Sequence, residues 1–199
     1  MADEGVQRSH LALVAGDRAV AANRPGDARP SFDDVYAGHA AYVAALAGRI
    51  LGRNDEVPDV VQDVFLIVHR RLSDVRSVEA LRTWLGRITV REASRRLRWR
   101  RLRGFLGQAR SGEVDLLADD GTGSELRPVI ALLYSVLDRL PAGPRAAWVL
   151  RYLLDEPLDG VAAICGCSLA TGKRRIAVAE RLLAPVLGDG EREREEDPR

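Results

Sequence analysis

The chain is poor in several things at once. It has two cysteines, one methionine and one lysine in 199 residues, only 5% aromatic residues, and no apolar run near the length that spans a bilayer. With Cys165 and Cys167 as the only cysteines, no disulfide framework can form, and a reduced cytoplasmic chain is the natural reading. The start, Met1 to Arg8, carries Asp3 and Glu4 and has neither the basic nor the apolar stretch of a secretory signal. Membrane insertion and secretion are therefore excluded as expectations. Enzymatic chemistry finds no foothold either. There is no Gly-rich phosphate loop and no Ser/His/Asp spacing, His10, His39 and His69 are isolated, and Cys165-Gly-Cys167 lacks the second ligand pair a zinc site needs. No cofactor and no metal is expected.

What is present is arginine. Lys173 is the sole lysine among 30 basic residues, against 29 acids, for a net charge of +1. Arginine forks onto phosphates and base edges, so near-neutrality does not exclude a nucleic-acid partner if the charges are segregated. They are. Between Arg87 and Arg103 there are eight arginines and one acid, Glu92, whereas Asp55, Glu56, Asp59 and Asp63 lie in a stretch without a cation. From Ser111 to Glu125 there are five acids and no base.

Apolar periodicity makes every ordered segment helical, and no strand alternation is long enough for a sheet. Residues 1–30 read as a flexible leader. A first helix begins after Ser31 as N-cap and carries Phe32, Val35, Tyr36, Val43, Leu46 and Ile50 on one face. A second runs from about Asp55 to Leu72, with an apolar stripe through Val60, Val64, Phe65 and Val68. A third, from about Val78 to Arg103, starts with Leu81, Trp84, Leu85 and Ile88 and becomes the arginine block. On that stripe Trp84 reads as core.

Residues 104–127, rich in Gly and acids, read as a flexible acidic linker. Four shorter helices are expected over Val129–Leu140, Pro144–Leu154, Leu158–Cys165 and Leu169–Leu183, separated by turn-type sequences, and residues 188–199 read as a disordered tail. The expected fold is all-α, with two small helical domains, 31–103 and 128–187, joined by the linker.

Within 128–187, Val161 and Ala162 face inward, Gly166 permits a sharp turn, and Ser168 caps a second helix bearing Thr171, Lys173, Arg174 and Arg175. That is the pattern of a helix-turn-helix whose second helix enters a major groove. The arginine block suits single-stranded or melting DNA, because dense cations attract phosphates and aromatics stack on unpaired bases. The acids Asp59 and Asp63, with Gln62, face away from their helix's apolar stripe, as a partner with basic helices would require.

Taken together, Phe32-Asp-Asp-Val-Tyr36 with His39-Ala-Ala-Tyr-Val43, Asp59-Val-Val-Gln-Asp-Val-Phe65, and Leu81-Arg-Thr-Trp-Leu-Gly-Arg-Ile88 resemble region 2 of the sigma-70 family of bacterial RNA polymerase sigma factors. Leu137-Asp-Arg-Leu-Pro141, Val149-Leu-Arg-Tyr152 and Gly166-Cys-Ser168 leading to Lys173-Arg-Arg-Ile176 resemble region 4. Two regions alone, in this order, resemble the compact extracytoplasmic-function subgroup.

The resemblance implies a region 2 helical bundle, a region 4 helix-turn-helix, and transcription initiation at specific promoters through −10 and −35 contacts. It implies that Asp59, Gln62, Asp63 and Phe65 bind core RNA polymerase at the β′ clamp helices, with the β subunit as a further partner. By the same likeness Arg82, Thr83, Trp84, Arg87, Arg91, Arg95 and Arg98 recognise and melt the −10 element, and Ser168, Thr171, Lys173, Arg174 and Arg175 contact −35 duplex. An anti-sigma factor that masks both domains is a family expectation. Two other readings stand beside this one. One is a stand-alone helix-turn-helix regulator; the other is a sigma-like adaptor with weakened −35 recognition, since Gly172 inside the recognition helix costs about 1 kcal/mol in helix propensity.

Overall fold

The computed structural model describes residues 30–52, 55–75, 77, 80–105 and 127–187. The leader and tail lie outside them, as does all but the edges of the linker. Among the described residues there are seven α-helices: α1 (Phe32–Leu51), α2 (Val57–Arg71), α3 (Leu81–Phe105), α4 (Arg127–Leu137), α5 (Ala142–Tyr152), α6 (Leu158–Cys165) and α7 (Leu169–Leu187), with a 3₁₀ turn at Leu72–Asp74. No strand occurs among the described residues, and no helix there is long and apolar enough to cross a membrane.

Each start has a local cause. Ser31 and Asp34 form a full capping box: Ser31 Oγ accepts from the Asp34 N–H at 3.1 Å, and the Asp34 carboxylate accepts from the Ser31 N–H at 3.2 Å. Helix α2 begins at Val57 rather than Asp55, with Pro58 in the first turn where its missing N–H is harmless. Helix α3 begins three residues later than its periodicity predicts and runs two further. Helix α5 begins at Ala142, before Pro144, since a first-turn proline fits a helix. Helix α7 continues through Pro185 to Leu187.

Helices α1 to α3 pack as one group around Val43, Leu46, Val64, Leu85 and Ile88, and α4 to α7 as another around Leu137, Trp148, Leu150, Val161 and Leu183. The two groups are not separate beads on a tether. Helix α3 packs on α5 and α6, α1 touches α5, and the buried side chains of both groups form one continuous core.

The seam is closed by polar groups at the C-terminal end of α1. A helix leaves its last four carbonyls unpaired, and here all four find donors. Gly48 O accepts from the Gly52 N–H at 2.7 Å, Arg49 O from Tyr134 Oη at 3.3 Å, Ile50 O from Arg145 Nε at 2.6 Å, and Leu51 O from Arg100 at 3.2 Å. Three of these donors come from α3, α4 and α5. Arg145 is 1% exposed, has its charge met by Asp138, and lies over the Tyr134 ring. Burial behind this guanidinium pushes the Tyr134 hydroxyl up to about 12, so it stays a donor.

Gly52 makes the approach possible. Its φ is +68°, and a Cβ there would sit 2.4 Å from the Tyr134 ring, whereas at Gly166, with φ +61°, a Cβ would meet open space. Gly166→Ala should therefore lose only the left-handed backbone cost, about 1–2 kcal/mol. Gly52→Ala should lose that and the seam contact as well, giving the larger fall in melting temperature by calorimetry. Equal falls for the two variants would mean that the seam contributes nothing to stability.

Candidate nucleic-acid interface

The arginines of α3 divide by direction. Arg95 and Arg96 point at α2, where Arg95 meets Asp63 at 3.0 Å and Glu92 at 2.7 Å, and Arg96 bridges Asp59 at 3.0 Å and Asp63 at 3.1 Å. Arg96 is held firmly protonated by these carboxylates despite partial burial. Arg100 reaches Glu56 at 2.8 Å, and Arg101 donates to the Asp138 carbonyl at 2.9 Å and to the Leu140 carbonyl. The acidic face of α2 meets its own basic neighbour, α3, in addition to any outside partner that its sequence suggests. A lone stretch of acids and a lone stretch of arginines, separated by two dozen residues in the chain, carry no sign that they face each other.

The remaining arginines face elsewhere. Arg87, Arg91, Ser94 and Arg98 follow one another at helical spacing along one side of α3. Arg91 and Arg98 are exposed and have no ion pair among the described residues. Arg82 and Arg87 are tied to the second helical group: Arg82 pairs with Glu156 at 3.1 Å and lies over the Tyr42 ring, and Arg87 donates twice to Ala163 O, at 3.0 and 3.2 Å. Thr83 is half-buried, and Trp84 packs partly buried against the core, as its place on the apolar stripe predicts. Trp99 is exposed on the same helix.

In the second group α6 and α7 meet at a turn. Gly166 adopts the left-handed conformation, Cys167 N–H returns to Ala162 O at 3.0 Å, and Ser168 Oγ accepts from Thr171 N–H at 3.2 Å as the N-terminal cap of α7. Val161 and Ala162 are buried. Ser168, Lys173 and Arg174 are exposed; Thr171 is half-buried and its hydroxyl accepts from Ser168, while Arg175 folds back along Gly143. Near the start of α7 the exposed cations are therefore Lys173 and Arg174, with Arg181 exposed two turns further on. Burial pushes the Cys165 thiol up to about 11, so it is an inert apolar filler.

On the opposite side of the first group, an apolar groove of about 410 Å³ opens between α1 and α2, lined by Tyr36, Val61, Gln62, Phe65, Leu66 and His69. Tyr36 is 47% and Leu66 49% exposed, while Phe65, at 4%, forms the floor in edge contact with Phe32 and Tyr36. Sequence reasoning missed Tyr36 and Leu66 as surface residues. The signal was available: Leu66 stands one position off the buried stripe of α2.

An arginine-lined helix beside a helix-turn-helix defines an all-helical DNA-binding protein. The Sigma-70 region 2 family matches residues 35–103. The chain is 30% identical over 179 residues to RNA polymerase sigma factor CnrH of Cupriavidus metallidurans, covering 86% of this chain and 94% of that one. It is 32% identical over 157 residues to the ECF RNA polymerase sigma-E factor of Haemophilus influenzae, covering 71% and 79%. The fold is similar to that of the sigma factor RpoE in its complex with the anti-sigma factor NepR from Bartonella quintana, with TM-score 0.61 and 24% identity over 78% of this chain and 96% of that one. The chain belongs to the ECF sigma factors of the sigma-70 family, non-enzymatic factors that bind RNA polymerase and direct promoter-specific transcription initiation.

Gly172 lies inside α7 on its inward face, and a Cβ there would stand 3.8 Å from Ala162 Cβ, an ordinary contact. Helix α7 runs through it without a break. Gly172→Ala should raise stability by about 1 kcal/mol, seen as a rise of a few degrees in melting temperature, with duplex DNA affinity unchanged. A fall in stability would show that α6 and α7 need closer contact than this spacing allows.

Proposed function

We propose that the labour of promoter recognition is divided among three surfaces of this sigma factor. Residues 31–103 act as region 2 and 128–187 as region 4, with 104–127 as the linker between them and 1–30 and 188–199 as terminal extensions. The observation that carries the reading is the sorting of α3: Arg95 and Arg96 serve the fold, whereas Arg91 and Arg98 have no ion-pair partner among the described residues and stand beside Arg87 on one side. These three, with Arg82, Thr83 and Trp84, meet the −10 element, the cations drawing in the phosphates of the unpaired strand. Lys173 and Arg174, with Ser168, Thr171 and Arg175 around the start of α7, meet the −35 duplex.

Core polymerase is engaged by α2. Gln62 and the groove over Phe65 supply the apolar contact, and the outer edges of Asp59 and Asp63 supply charge toward the β′ clamp helices; the β subunit contacts the rest of the chain. The helix-in-groove mode suits a partner helix with one apolar face. An anti-sigma factor is a second partner, as in the complexes of RpoE with NepR and of CnrH with CnrY. Because Arg82 and Arg87 hold α6 and Glu156, the packed arrangement and full −10 contact exclude each other, and the two groups must part on the polymerase. The protein works in the cytoplasm, where polymerase and promoter are.

In run-off transcription with core polymerase, the double variant Arg91→Ala, Arg98→Ala should keep core binding and reduce open complexes by at least about tenfold, from the loss of two phosphate contacts. Full open-complex formation would remove α3 from the −10 site. Leu66→Asp should abolish co-purification with core at unchanged melting temperature. Asp63→Lys should lower both, since it also breaks the pairs with Arg95 and Arg96; a loss confined to binding would mean that those pairs do not stabilise the bundle.

A further inference from the structure

At the seam between the two helical groups lies a half-open cavity of about 340 Å³, in the range of small-ligand sites. Its walls bring together Arg87, Arg91 and Arg98 from α3 and Arg175 from α7, with Ser94 and Gly143 between them, and no carboxylate lines it. Four arginines from two halves of the chain line one space; Arg87 is committed to Ala163 O, and no described acid pairs with Arg91, Arg98 or Arg175.

Two other arginine pairs, by contrast, each share an acid: Arg95 and Arg96 share Asp63, and Arg100 and Arg145 share Asp138. Gly143 lies in the first turn of α5, which has no side-chain cap, and it leaves room along the Arg175 guanidinium, 3.3 Å from where a Cβ would stand. Forked donors converging on a polar space from several directions fit an anion with many oxygens, a chain of phosphates better than a single carboxylate.

We propose that this cavity binds a compact oligophosphate, free or as the phosphate chain of a nucleotide, and that the bound anion holds the two helical groups together. It would bridge α3 to α7 and occupy Arg91 and Arg98, so that it competes with promoter DNA. That consequence rests on the −10 reading of these residues given above; the binding itself does not.

The test titrates the full chain with sodium triphosphate in magnesium-free buffer at physiological salt, by calorimetry and thermal melting. Binding of one triphosphate per chain is expected, with a rise in melting temperature. Arg98→Ala should weaken it by at least about tenfold, as loss of a charge-assisted contact does. Gly143→Leu fills the space without removing a cation and should do the same, while Arg70→Ala on exposed α2 should change nothing. Parallel titrations with ATP and GTP separate the sources: equal affinities point to the phosphate chain alone, and tighter nucleotide binding to a nucleotide.

Several triphosphates bound with equal weakness by wild type, Arg98→Ala and Arg70→Ala would overturn the proposal, since the anion would then be a surface counter-ion. So would triphosphate affinity unchanged in Gly143→Leu. Run-off transcription by Gly143→Leu should match wild type. Failure of the wild-type chain to initiate with core would instead count against the promoter reading, leaving the triphosphate result standing.

Discussion

The arrangement of this protein depends on how the C-terminal ends of its helices are capped. Those ends expose carbonyls and carry the negative end of the helix dipole, and cations are favoured there. Two such ends are gripped by arginines from other helices, α1 by Arg145 and Arg100 and α6 by Arg87, and Arg101 grips the turn that follows α4. An arginine does this better than a lysine because its planar fork can serve two acceptors at once, as Arg145 does for Ile50 O and Asp138. The scarcity of lysine in the chain thus has a structural meaning as well as a DNA-binding one. Arginine is the mortar between elements.

The same rule decides which charges are functional. A block of eight arginines against one acid reads as a single basic feature, but on a helix each turn of 100° gives neighbouring residues different surroundings. Arg95, Arg96 and Arg100 look toward the acids of α2 and its leading turn, Arg101 toward α4, and Arg91 and Arg98 toward the seam. Ion pairs half-open to solvent contribute little stability singly. A network in which Asp63 serves both Arg95 and Arg96 instead fixes the rotation of α3 about its axis, and with it the direction of the arginines that stay free.

Much of this was legible in the sequence because it is local. The capping box at Ser31 and Asp34, the span Leu158–Cys165, the left-handed Gly166 and the cap at Ser168 follow from residues within four positions of one another, and the structure has them where the periodicity places them. Two helix starts next to proline differ from the periodicity by two residues: α2 starts at Val57 rather than Asp55, and α5 at Ala142 rather than Pro144, because Pro144 sits inside a first turn rather than at its beginning. The seam was not legible. Arg145 between Pro144 and Ala146 looks like any solvated arginine, and its acceptor at Ile50 O is a backbone atom 95 residues away that leaves no mark on the sequence. Asp59 and Asp63 were found, but their nearest partners could be known only once α2 and α3 were side by side.

Arg145 is also an imperfect fit. Its second terminal nitrogen, like Arg100 Nε and Tyr42 Oη, is buried without an acceptor among the described residues, and each such group weakens the folded form by about 1–3 kcal/mol. A charged group surrendered from water is held back by a hydration free energy that becomes less favourable as temperature rises. The polar seam therefore closes more readily in the warm and parts more readily in the cold. Its stability runs on a different thermal scale from that of the apolar core around it.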